Sequence, residues 1–145
     1  LARRASILTC MVTIDIAYQG TLRCQARHQP SGTVVVTDAP VDNHGRGESF
    51  SPTDLVATAL GSCILTIMGI FAERHGVDLT HATVVVKKHV VADPHRRIGR
   101  LEVDITVPGV ADPKLRSALE AAAHGCPVAR SIGGSIELVE RFTWL

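Results

Sequence analysis

Val12, Ile14, Ile16 and Tyr18 alternate with Thr13, Asp15, Ala17 and Gln19. Successive side chains of a strand point to opposite faces, so this period of two predicts a half-buried strand. Gln19-Gly20 turns the chain, and Leu22, Cys24 and Ala26 then alternate with Thr21, Arg23, Gln25 and Arg27. After Pro30-Ser31-Gly32, residues 33–37 form a third strand, which completes an antiparallel meander.

Residues 38–50 are rich in Gly, Asn, Asp and Pro and predict a loop that carries His44, Arg46 and Glu48. Ser51-Pro52-Thr53-Asp54 has the form of a helix start, with proline at the first helical position and an acid in the first turn. The helix should run over about residues 52–75, with Gly76 stopping it. Residues 83–91 and 98–107 predict two strands around the Asp93-Pro94-His95 turn. Asp112-Pro113 opens another helix, which the run 118–123 carries to Gly125; a short helix follows from Pro127, and residues 136–144 form a last strand. The order β-β-β-α-β-β-α-α-β implies an α+β fold, with antiparallel sheets around a long buried central helix.

The chain has 145 residues and 46% hydrophobic composition, enough for the core of one domain. We expect residues 1–11 to be an N-terminal extension, with Met11 as the natural initiator, and 12–145 to be a single domain. A net charge of +1 and 3% aromatic residues offer neither the basic footprint nor the stacking platforms of a nucleic-acid binder. Four cysteines without a C-x-x-C spacing point to reduced thiols in a cytoplasmic protein, not to a disulfide framework or structural zinc. Residues 55–72 carry no charge, but Gly61, Gly69, Thr58, Ser62 and Thr66 interrupt them and charges flank them closely, so a buried helix is favoured over a membrane span.

The candidate chemistry lies in Cys63, inside the apolar stretch Leu60-Gly61-Ser62-Cys63-Ile64-Leu65, and in Cys126, at the Gly125-Cys126-Pro127 break between two helices. A helix start favours a thiolate, so Cys126 is expected to be poised and Cys63 to be shielded. Buried mid-helix, Cys63 would need a cationic partner, for which Arg23, Arg27 and Arg46 are candidates, with Glu48 or Asp54 orienting the guanidinium. Cys24, on the apolar face of its strand, and Cys10 are expected to be structural. The histidines show no metal-ligand spacing.

Gly47-Glu48-Ser49-Phe50-Ser51-Pro52-Thr53-Asp54-Leu55, leading to Ala59-Leu60-Gly61-Ser62-Cys63, and later Cys126-Pro127-Val128, make the chain resemble the OsmC/Ohr family of osmotically inducible and organic hydroperoxide resistance proteins, in its OsmC-like branch. The resemblance covers about residues 12–142. It implies a homodimeric, intertwined thiol peroxidase that reduces organic hydroperoxides and, less well, hydrogen peroxide. Cys63 would become a sulfenic acid, Cys126 would resolve it as a disulfide, and a dithiol would restore both, with no cofactor or metal. The best-studied members carry a glutamate directly after the helix-start proline, where Thr53 stands here. Arg23 with Glu48 is therefore the expected activating pair. A non-catalytic redox sensor or a small-molecule-binding protein of the same fold is the alternative.

Overall fold

The computed structural model describes residues 11–145; Cys10 and the rest of the expected extension before Met11 lie outside them. The elements are β1 (Ile14–Gly20), β2 (Arg23–His28), β3 (Val34–Asp38), α1 (Pro52–Arg74), β4 (Thr83–Val91), β5 (Arg97–Val107), α2 (Pro113–His124), α3 (Pro127–Ile132) and β6 (Glu137–Trp144). The class is α+β, with two compact units, one ending at Pro52 and the other running from Thr53 to Leu145.

In the first unit, β1, β2 and β3 form an antiparallel sheet in that order. The β1–β2 turn is unusual in its backbone. Gly20, Thr21 and Leu22 are all left-handed, with φ of 82°, 50° and 64°, a conformation that costs a branched or bulky residue energy unless its surroundings enforce it. The Tyr18 hydroxyl accepts from the Leu22 amide at 3.2 Å, and the Ala39 amide donates to the Leu22 carbonyl at 3.2 Å. Those bonds hold the turn in place.

In the second unit, β4, β5 and β6 form a sheet in that order. β4 and β5 pair antiparallel, as their short turn dictates. β6 pairs parallel with β5, a departure from the expectation of antiparallel sheets throughout. The reason is the α2–α3 crossover, which is long enough to return the chain to the end of the sheet where β5 began.

One stripe of α1, made of Ala57, Leu60, Gly61, Ile64, Met68 and Ala72, is buried in a core with Leu101, Val103, Ile105 and Val107 of β5. The approach of α1 to β4 is close at Gly61, where a Cβ would lie 2.9 Å from Val86 and 3.1 Å from Val84. Gly76 ends the helix in a left-handed conformation at φ 66°, with the Val77 amide bonding back to the Ala72 carbonyl at 2.9 Å. By length and composition α1 could cross a membrane, but its buried stripe makes it a core helix of this unit. The opposite side is only half covered, and Ile70 is exposed. Asp112 caps α2 through the Lys114 amide at 2.9 Å, and Leu119 and Ala123 of α2 join the core.

Candidate active site

α1 delivers Cys63 from the flank of its buried stripe, and the break between α2 and α3 delivers Cys126. Pro127 begins α3 with the φ a helix start needs and no amide to satisfy, which leaves Cys126 as the capping residue. The Cys126 amide bonds to the Ala123 carbonyl at 3.0 Å, and its carbonyl accepts from the Arg130 amide at 3.1 Å, so its backbone is fixed from both helices. The two thiols lie close enough for Cys63 to influence the Cys126 thiol, and both are free.

Their environments are the reverse of the expected ones. Cys126 is fully buried and Cys63 partly exposed. Burial, and then the contact with Cys63, push the Cys126 thiol above its usual range, while the Ala129 and Val128 amides at the start of α3 pull it back. The helix-start effect is present, but desolvation outweighs it. Cys126 therefore keeps its proton and can offer it to the Cys63 sulfur. An accessible sulfur backed by a shielded, protonated one can react with an incoming oxidant and then be resolved in place.

In the first unit, Arg23 leaves the strained β1–β2 turn and lies opposite Asp38 in the β2–β3 register. Its Nη2 donates to the Glu48 carboxylate and to Asp38 Oδ2, the latter at 3.4 Å. Glu48 holds the guanidinium more firmly protonated, with Asp38 adding to the effect against burial. The Glu48 amide at 3.0 Å, and next the Arg23 guanidinium, hold the Asp38 carboxyl below the usual carboxylate range. The loop between Asp38 and Glu48 must fold tightly to allow this. A Cβ at Gly45 would sit 1.7 Å from the Ala39 carbonyl oxygen, so only glycine fits, and Gly47 is left-handed at φ 65°.

The family profile described as OsmC-like protein matches residues 45–141, which carry both cysteine motifs. The chain belongs to the OsmC-like protein family. Among solved structures, it is 42% identical to a protein from Psychrobacter arcticus 273-4, provisionally named an osmotic stress induced and detoxification response protein, at a TM-score of 0.86 over 94% of this chain and 99% of that one. An OsmC-like protein from Mycoplasma pneumoniae shares the fold at 11% identity and a TM-score of 0.80, covering 95% and 99% of the two chains. An organic hydroperoxide resistance protein from Legionella pneumophila does so at 17% identity and a TM-score of 0.73, covering 94% and 98%. No protein with a curated description matches the chain.

This OsmC-like chain separates the two carboxylates that the sequence left open. Glu48 pairs with Arg23, whereas Asp54 accepts from Lys88 Nζ at 2.6 Å, and Lys88 also donates to the Thr53 hydroxyl at 2.7 Å. Asp54 thus anchors the start of α1 to β4. Arg27 and Arg46 make no ion pair among the described residues, although the Arg46 backbone contributes to holding Asp38 ionised. Cys24 is partly buried within the first sheet, opposite Tyr18 and Thr37. No group of His, Cys, Asp and Glu among the described residues could hold a metal ion.

Sequence reasoning passed over Asp38 and Lys88. Each left a signal: Lys88 follows Val84 and Val86 on the inward face of an alternating strand, and Asp38 ends an apolar strand. A charge where the pattern demands an apolar residue needs a partner.

Proposed function

We propose that the protein is a cysteine-based peroxidase that reduces organic hydroperoxides and, less well, hydrogen peroxide. The observation that carries this reading is the contact between a partly exposed Cys63 and a buried, protonated Cys126. The Cys63 thiolate attacks the outer oxygen of the hydroperoxide, the O–O bond breaks, and the alkoxide leaves as an alcohol after taking a proton. Cys63 is then a sulfenic acid. The Cys126 sulfur attacks it, water departs, and a Cys63–Cys126 disulfide forms. A dithiol reduces that disulfide by exchange and is itself oxidised.

In this reading Arg23 is the cation that stabilises the reacting thiolate and the developing alkoxide, and Glu48 holds Arg23. Support comes from the ion pair itself and from the organic hydroperoxide resistance proteins that share the fold. The protein is proposed to act in the cytoplasm as a homodimer. Ile14, Ile16, Tyr18, Val34, Val35 and Val36 of the first sheet are exposed, as is Ile70 of α1, and such apolar side chains suit burial against a partner. A second copy supplies the missing layer.

The deciding experiment is steady-state consumption of tert-butyl hydroperoxide with a dithiol in excess. Many turnovers per protein are expected. Oxidation that stops at one equivalent with excess dithiol present would replace the peroxidase with a redox sensor.

A further inference from the structure

Asp38 takes no part in the chemistry above, yet its side chain is 0% exposed and half of its carboxylate is unsatisfied: Oδ1 is buried with no hydrogen-bond partner. Such a group is costly to retain unless it fixes something. Its other oxygen, Oδ2, accepts from the Glu48 amide at 3.0 Å and from Arg23 Nη2 at 3.4 Å. The same Nη2 donates to the Glu48 carboxylate. The contacts close a ring, from the Arg23 guanidinium to the Glu48 side chain, to the Glu48 backbone, to Asp38, and back to Arg23.

The ring matters because Glu48 is more than half exposed, and an exposed ion pair between two long side chains samples many geometries. Asp38 has no such freedom. It is enclosed at the end of β3, directly opposite Arg23 in the strand register, and its amide bonds to the Phe50 carbonyl at 3.1 Å. Both acidic partners use Nη2, and neither Nη1 nor Nε of Arg23 bonds any group among the described residues. Two non-glycine residues in left-handed conformations, Thr21 and Leu22, immediately precede Arg23, and such strain persists where the surroundings specify one geometry.

We propose that Asp38 is a positioning residue: it locks Arg23 and the Glu48 loop into one preformed arrangement, with both carboxylates on Nη2, which leaves the Nη1 and Nε hydrogens to donate to an anionic reaction partner. The proposal rests on the peroxidase reading for its catalytic consequence, but the ring itself does not.

The test uses the full chain with Asp38→Asn, which keeps the shape and removes the charge. NMR of the Arg23 side chain should show separate, slowly exchanging Nη signals in the wild type and averaged ones in the variant. Single-turnover oxidation of Cys63 by tert-butyl hydroperoxide should slow about 10- to 100-fold, the scale for a misplaced catalytic group. In an Arg23→Ala background, the same substitution should cost nothing further. Equal losses in both backgrounds, or unchanged Arg23 signals, would overturn the proposal. If Asp38→Asn does not fold, Asp38→Glu keeps the charge, displaces the carboxylate by one methylene and is read in the same way. A wild type inert to hydroperoxide would sink the peroxidase reading alone, and the Arg23 signals would still decide the ring.

Discussion

Exchange of sulfur for oxygen should affect the two cysteines unequally, in stability as well as in chemistry. Cys126 is fully enclosed by the core, so Cys126→Ser places a hydroxyl where a weakly polar thiol had been; burial of a hydroxyl with partial compensation costs about 1–3 kcal/mol. At this chain length each kcal/mol lowers the melting temperature by roughly 2–4 °C. A fall of about 5 °C is therefore expected for Cys126→Ser. Cys63 is partly exposed, its replacement oxygen can reach water, and Cys63→Ser should melt within about 2 °C of the wild type, as ordinary surface changes do.

The chemistry should split in the opposite sense. In Cys63→Ser the site keeps the shielded, protonated Cys126, and no oxygen should be added to Cys126 during brief treatment with tert-butyl hydroperoxide. Cys126→Ser keeps the accessible sulfur, which should take up one oxygen at close to the wild-type rate and then, having no resolving partner, proceed to the sulfinic acid. Intact-mass measurement with thermal melts on the same samples reads both effects. Oxidation of Cys126 in the Cys63→Ser variant as fast as that of Cys63 in the wild type would refute the reasoning, because the buried thiol would then be the first to react.

Gly61→Ala gains about 1 kcal/mol of helix propensity but forces a methyl against Val86 and Val84, a strain of about 1–3 kcal/mol, so a net loss in a denaturant titration is expected. Lys88→Met should cost about 1 kcal/mol, and much less in an Asp54→Asn background, as a double-mutant cycle will show. Arg141 is the first cause holding Glu102 and Asp104 below their usual values, so the stability they contribute is complete above the unfolded carboxylate range and is lost as pH falls through the lower folded values. The melting difference between wild type and Arg141→Gln should accordingly be present at neutral pH and close below about pH 3. Light scattering at micromolar protein should give the mass of two chains, and a stable, active monomer would remove the proposed dimer.

The sequence alone determined what is local. Alternation placed the strands, Ser-Pro and Asp-Pro started α1 and α2, Gly76 ended α1, and Cys126-Pro127 marked the start of α3. Each depends on backbone preferences and side-chain periods that act within a few residues. Tertiary structure decided which neighbours each group meets. Cys126 became the buried thiol because two helices and the sheet close over a break that looks exposed in one dimension, and desolvation there outweighs the helix-start effect. Glu48 received Arg23 within the first unit, and Asp54 met Lys88, far along the chain, within the second. The parallel pairing of β6 follows from where the α2–α3 crossover returns the chain, and Asp38 acquired its place from a strand register that sets it opposite Arg23. Burial and charge pairing are sums over residues distant in sequence, and only the folded chain carries them out.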